Sequence, residues 1–355
     1  MDKEMIEFIA NGAASGPIAS KLLANGMDPA VMRPYVGKDG RFYINKGGKP
    51  FPVTNATLRY DEWKEYDRVI IRAAEDRLVG VADLISRGLT YSVGNGLAKT
   101  VLQYEDVGKM GEAIVSMDGL TRGKSDRPEY DMKYLPLPIV SSDFQINARV
   151  LAASRTGSEA LDTVSGEQAG TRVAEKLETI LFQGLSSYAY GGGTIYGYLD
   201  YPDRITGNLG AAWDNSAVTG ADIIDDVLAM KQALIAKKRY GPWVLYIPIA
   251  YETKMDEDYS TQYPGKTIRQ RILEISGIQD VKVAEYLIAS ASKERVSMVE
   301  MNNRTVRMVN GMGITPVEWQ EQGGMVTQYK VMTIQVPQIR GDQDGNCGVL
   351  VYTEP

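Results

Sequence analysis

The sequence predicts an α+β protein, and three observations predict it. One long amphipathic helix runs from Asp162 to Gly184, helices and strands alternate from Thr219 to Ala284, and the chain from Arg295 onward reads as strands joined by turns. With 355 residues, 44% hydrophobic and 24% charged, the chain can bury a real core in one large or two smaller units.

Residues 1–58 read as an extension. Short amphipathic helices at Glu4 to Ala10 and Pro17 to Ala24 precede a Gly/Lys/Pro-rich stretch through Val36 to Val53, and such pieces bury little without another surface to dock on. Leu58 to Ser86 is expected to be one strong helix, with Trp63, Tyr66, Ile70, Ala74, Leu78 and Val81 on one face and Asp61, Glu65, Arg68, Arg72, Glu75 and Asp76 on the other. Thr90 to Val107 reads as strand, turn, strand about Gly94-Asn95-Gly96. Gly108 to Tyr134 is polar and aperiodic, and a connection of that length inside a compact domain needs a purpose.

The prolines of Leu135-Pro136-Leu137-Pro138 exclude helix and force an extended segment, after which Phe144 and Ile146 alternate as in a half-buried strand. Asp162 is a good N-cap for the long helix. Leu161, Val164, Ala169, Val173, Leu177, Ile180 and Leu181 share its apolar face, while Arg172, Glu175, Lys176 and Glu178 fall mainly on another, and Gly184 is a natural stop. About 22 residues at 1.5 Å each give roughly 33 Å, enough to cross a domain. The glycine cluster of Tyr188 to Gly197 lacks the spacing and trailing Lys-Ser/Thr of a phosphate loop and reads instead as a tight helix-to-strand turn.

Gly220 to Lys238 is an amphipathic helix with a wide apolar face that includes Ile223, Val227, Leu228, Met230 and Leu234. Trp243 to Pro248 is a buried strand, Ile249 to Asp256 a short helix, Thr267 to Ile275 another, and Val281 to Ala284 a strand. Between them Asp258 to Lys266 is a loop. Further on, Asn302-Asn303 reads as a hairpin turn between Arg295–Met301 and Thr305–Val309, Gly323-Gly324 as another between Ile314–Glu321 and Met325–Pro337, and Cys347 to Tyr352 as a closing strand. Asp342 to Asn346 lacks a full calcium ligand set and reads as an Asp-Gly turn.

The chain has no histidine, which removes Ser-His and Cys-His nucleophile pairs, imidazole metal ligands and a general base with an ordinary pKa near neutrality. Its single cysteine, Cys347, excludes an intramolecular disulfide, suits a reducing compartment and reads as a small buried hydrophobe. A formal charge of −6 argues against gripping nucleic acid by phosphate neutralisation, though not against enclosing it. No targeting segment or membrane span is visible. The acids do not converge: Asp256-Glu257-Asp258 reads as a solvated helix end, and Asp225 and Asp226 point to different sides. No catalytic, cofactor or metal site is expected. An α/β enzyme whose site escapes this reading is the competing class.

The order Leu135-Pro136-Leu137-Pro138, polar strand, Ala153-Ser154-Arg155, Leu161-Asp162-Thr163, and a long helix carrying Arg172, Val173-Ala174-Glu175, Leu177-Glu178 and Ile180-Leu181-Phe182 resembles the spine-helix region of encapsulins and tailed-phage major capsid proteins, which have the Hong Kong 97 fold. The resemblance covers about Tyr60 to Glu354. It implies an N-terminal arm at 1–58, helix and strands of a peripheral domain at 59–107, an extension loop at 108–138, a peripheral domain with the spine helix at 139–200, an α/β axial domain at 201–310 and C-terminal strands returning to the peripheral domain at 311–355. It further implies that Tyr259, Ser260, Thr261, Gln262, Tyr263, Pro264, Gly265 and Lys266 form the loop at the capsomer axis. In the extension loop, Met110, Ile114, Val115 and Met117 would be apolar contacts with a neighbouring subunit. Lys109, Lys124 and Lys133 are candidates there for a Lys-Asn isopeptide cross-link. Asp162, Val173, Leu177 and Leu181 would seat the spine. The expected protein is a major capsid protein, self-assembling as pentamers and hexamers in the host cytoplasm into a virion shell that encloses DNA without reading its sequence. A separate scaffolding protein, a portal and a possible decoration protein would be its partners, with no membrane, cofactor or large N-terminal cleavage. The alternative is an encapsulin shell around a cargo enzyme.

Overall fold

The computed structural model describes residues 34–36, 42–46, 49–52, 68–74, 78–108, 113, 115, 117, 127, 130–147, 149, 164–260, 265–288, 293–321, 325–342 and 344–355. The chain divides into two compact units, one of Met1–Trp63, Gln145–Asp162 and Glu318–Gln328, the other of Lys64–Phe144, Thr163–Val317 and Tyr329–Pro355. In the first, β1 (Pro34–Val36), β2 (Phe42–Lys46) and β3 (Lys49–Pro52) form an antiparallel sheet in that order. The short helices expected near the N-terminus lie outside the described residues.

The second unit is built on a five-stranded sheet in the order β10 (Ile205–Asn208), β16 (Val349–Thr353), β13 (Arg295–Glu300), β11 (Trp243–Ile247), β12 (Ile278–Val283). All five residues of β11 are buried. Because strand side chains alternate, Trp243, Leu245 and Ile247 join one core with α4 (Gly220–Ala236) and α6 (Ile268–Leu273), and Val244 and Tyr246 join another with α2 (Gly80–Ser86) and α3 (Val164–Gln183). A strand covered on both faces has no polar side to show, which explains the unbroken apolar run in the sequence. Both α4 and α6 start with a capping box, Thr219 with Asp222 and Thr267 with Gln270. Between them, 3₁₀ residues Ile249–Tyr251 lead into α5 (Glu252–Met255).

A four-stranded sheet runs β4 (Thr90–Ser92), β14 (Val306–Glu321), β15 (Val326–Ile339), β7 (Val140–Asn147), while β5 (Val101–Val107) pairs with β6 (Tyr130–Pro136) and β8 (Leu185–Tyr190) with β9 (Gly193–Ile195). β7 alternates half-buried and exposed residues along its length, as Phe144 and Ile146 suggest.

Several expectations are corrected. The helix expected over Leu58–Ser86 is not continuous: residues 68–74 (α1) and α2 are separate, with Leu78 and Val79 outside helix, and the stretch before residue 68 lies outside the described residues. Asn95, with φ 53°, does turn the chain, but β4 and β5 do not pair with each other; β4 pairs in parallel with β14, Thr90 opposite Met308. Nor is Asn302-Asn303 a hairpin. β13 belongs to the five-stranded sheet and β14 to the four-stranded one, and the turn, closed by Thr305 and Val306 amides donating to the Asn302 carbonyl, passes the chain between them. The glycine cluster is a β-hairpin turn, with Gly191 and Gly192 at positive φ, and the helix-to-strand turn is Gly184 at φ 75°. Leu228, placed on the apolar face of α4, is 43% exposed. Within 311–355, β16 pairs with β10 and β13 in the five-stranded sheet.

Candidate functional site

Helix α3 spans 20 residues and contributes to two of the hydrophobic clusters of its unit. Val173, Leu177 and Leu181, the residues expected to seat it, are 1%, 1% and 0% exposed. Leu177, Leu181 and Phe182 belong to the core shared with β11, while Ile180 enters a third cluster with Val93, Leu135, Leu137, Ile195 and Ile334. Asp162 lies outside the described residues. Val164, expected on the buried face, is 54% exposed at the first turn.

Two glycines bring other helices onto α3. A Cβ on Gly170 would sit 2.6 Å from the carbonyl oxygen of Ile70 in α1, and one on Gly80 would sit 2.8 Å from Leu181 Cδ2. Glu178, placed on the polar face, is 3% exposed, and its carboxylate accepts hydrogen bonds from the backbone amides of Gly80 (3.2 Å) and Val81 (2.9 Å). The N-cap of α2, Val79, offers no side-chain acceptor, so a glutamate nearly a hundred residues away does the capping. Burial pushes the Glu178 carboxyl up to about 7, against the lowering effect of those amides. Nearby Asp83 is 2% exposed but accepts from Lys282 (2.9 Å), Arg87 (2.8 Å) and the Tyr246 hydroxyl (2.9 Å). Burial pushes its pKa up, the three donors outweigh it, and the net shift is downward.

The β5–β6 hairpin occupies the base of the expected extension loop, in register from Val101 opposite Pro136 to Val107 opposite Tyr130. Its root is fixed where Gly193 of β9 passes so close that a Cβ would meet the Tyr134 carbonyl at 2.1 Å. One face of β6 shows Tyr130, Met132 and Tyr134 at 62%, 45% and 36% exposure. Farther along the connection Val115 and Met117 are fully exposed, whereas Lys109, Met110, Ile114 and Lys124 lie outside the described residues. The sequence signal for this stripe is the alternation Tyr130, Met132, Tyr134, hidden at the end of a segment that is otherwise polar and aperiodic.

Lys133, the described cross-link candidate, pairs with Asp106 at 2.8 Å. Burial lowers the ammonium pKa, the Asp106 hydrogen bond and charge raise it, and the net direction is up. An amine held protonated is a poor nucleophile, so this contact works against Lys133 attacking an amide.

The expected capsomer-axis loop is closed at its base, where the Tyr259 amide donates to the Lys266 carbonyl at 2.9 Å and Asp258 bridges Thr267. Lys266 ion-pairs with Glu274, and Gly265 has φ 120°. Ser260 is described; Thr261, Gln262, Tyr263 and Pro264 are outside the described residues. Asp226 accepts from the Trp213 indole (2.9 Å) and the Gly210 amide (3.1 Å), and Asp256 and Glu252 face Arg269. Cys347 is buried, its thiol pushed up to about 12 by burial. Among the described residues no group of three or more His, Cys, Asp or Glu side chains could hold a metal ion, and no described helix is long and apolar enough to cross a membrane.

A family described as "Family of unknown function (DUF6260)" matches residues 54–352. No curated protein matches the sequence. Among solved structures, the chain is similar to the capsid of Myoviridae phage XM1 (TM-score 0.59, 10% identity, 78% of this chain and 92% of that one). It is also similar to the virus-like particle from Pyrococcus furiosus (0.54, 12%, 81% and 98%) and to the capsid of an empty GTA particle (0.54, 13%, 78% and 91%). The chain therefore has the fold of these three particles, the Hong Kong 97 fold.

Proposed function

We propose, from the premise that the chain belongs to the DUF6260 family, that it is a structural protein of a tailed phage or related particle, the major capsid protein, rather than an enzyme. Copies assemble as pentamers and hexamers into an icosahedral shell that encloses DNA, in the cytoplasm of the host, with a separate scaffolding protein and a portal as partners. The observation that carries this reading, given the shared fold, is the β5–β6 hairpin: a two-stranded ribbon is marginal by itself, and this one exposes Tyr130, Met132 and Tyr134 along one face. A neighbouring copy supplies the missing cover. The loop from Tyr259 to Lys266 takes the capsomer axis and α3 the spine between axial and peripheral parts. The net charge of −6 suits a wall that need not adhere to its DNA.

A second reading has its own support: the likeness to the Pyrococcus furiosus particle spans 98% of that chain, which fits a compartment shell. Electron microscopy of the purified full-length protein, with assay of nuclease-protected nucleic acid, tests both. Shells of pentamers and hexamers holding DNA are expected; small shells holding a protein cargo and no DNA select the compartment, and a 39.0 kDa monomer under all conditions overturns both.

A further inference from the structure

The sheet face that carries Val309, Ile334 and Val336 ends in polar side chains. By strand alternation Arg307 of β14 shares that face with Gln338 of β15 and with Arg340 just beyond it, whose amide donates to the Thr305 carbonyl at 2.8 Å. Gln338 is 1% exposed. Its Oε1 accepts from Arg307 Nε at 2.6 Å, which fixes the amide, and its Nε2 is left buried with no hydrogen-bond partner. Gln338 and Tyr104 also line a cavity of about 300 Å³, so space for an acceptor lies next to that amide. Each guanidinium lies over a ring: Arg307 Cζ is 4.3 Å from the centroid of Tyr91, and Arg340 Cζ is 6.0 Å from that of Tyr104. Among the described residues neither arginine has a carboxylate within ion-pair distance. Asp106, two residues along β5 from Tyr104, pairs with Lys133 instead. Burial and then the charge of Arg340 push the Arg307 guanidinium down, with the Tyr91 and Tyr104 hydroxyls acting the other way. Two like charges brought together beside an unpaired buried donor are costly without an anion to join them.

We propose that Arg307, Arg340 and the Gln338 amide form a binding site for a phosphate group. One guanidinium fork suffices for a planar carboxylate, whereas two forks and an amide, donating from three side chains, suit an oxyanion that accepts in several directions. Gln338 has two tasks there. Its Oε1 holds Arg307 in place and its Nε2 donates to the ligand, while Tyr91 and Tyr104 support the guanidinium planes and leave their N–H edges free. Inorganic phosphate and a nucleic-acid phosphodiester share this chemistry. The site lies within one subunit and does not depend on the shell reading.

Phenylglyoxal modification of the full-length chain, located by mass spectrometry, tests it with sodium phosphate against sodium chloride at equal ionic strength. About 10 mM phosphate should slow modification of Arg307 and Arg340 about fivefold and leave the exposed Arg304 unchanged. In isothermal titration, Arg340→Gln should weaken phosphate binding about tenfold. If an oligonucleotide without terminal phosphates protects both arginines as phosphate does, nucleic acid is the source; protection by inorganic phosphate alone assigns the free ion. Acetate protecting as well as phosphate, or no protection of either arginine by phosphate, overturns the site. Should Arg340→Gln fail to fold, the protection pattern of the natural chain still decides.

Discussion

Strand β11 carries five consecutive buried residues, covered by α4 and α6 on one face and by α3 on the other, whereas β6 shows solvent three large side chains in alternation. Both are extended segments of one unit. The first is complete within the subunit: its neighbours on both edges, β12 and β13, satisfy its backbone, and the helices over it begin with capping boxes. Among the described residues the second pairs with β5 alone, and it shows Tyr130, Met132 and Tyr134 exposed along one face. The difference separates two kinds of apolar residue, those that fold the subunit and those that the subunit alone does not use.

Substitutions should split along that line. The largest loss of subunit stability is expected for Val173→Asp, which places an unpaired charge at a position 1% exposed; a cost of about 3–5 kcal/mol should leave little folded chain by circular dichroism. Leu245→Ala on β11 should cost about 2–5 kcal/mol in denaturant unfolding, because the site is closed on every side. Thr219→Ala, which removes the cap of α4, should cost about 1 kcal/mol. The triple change Tyr130→Ser, Met132→Ser and Tyr134→Ser should alter unfolding of the isolated subunit by only about 0.5 kcal/mol per site, since those side chains face water. A large destabilisation by the triple change would erase the distinction between the two regions.

The two buried acids around α2 sharpen the contrast in another way, since their pH dependences have opposite sign. Asp83 has a lowered pKa, so its stabilising contribution is present at neutral pH and is lost as the pH falls below its ordinary 3.8. Glu178 has one raised to about 7 by burial, so the stability tied to its neutral form is present below its ordinary 4.5 and is lost as the pH rises toward 7. Asp83→Asn should remove part of the acid-side loss of stability in unfolding curves and leave the neutral-side change untouched.

The α/β sheet was legible in the sequence because local signals agreed there: caps at Thr219 and Thr267, a helical period from Ile223 to Leu234 and the apolar run at Trp243. Pairing was not legible. Turn residues such as Asn95 and Asn302 mark a turn but not the sheet that takes the strand before it: β4 pairs with β14 and β13 with β11 and β16, all far off in sequence. The break between α1 and α2 was hidden for a similar reason, since the acceptor replacing an N-cap is Glu178, and helical periodicity around Glu178 assigns it to water. Of the residues expected at the capsomer axis, the sequence located a loop, and its closed base from Tyr259 to Lys266 follows from backbone pairing that periodicity does not encode.

Contact between copies through the apolar face of the β5–β6 hairpin is read by sedimentation velocity of the natural chain beside the Tyr130→Ser, Met132→Ser, Tyr134→Ser variant under assembly conditions. The expected result is large particles for the natural chain and folded subunits or small oligomers for the variant. Particles of the same size and yield from both proteins would contradict it.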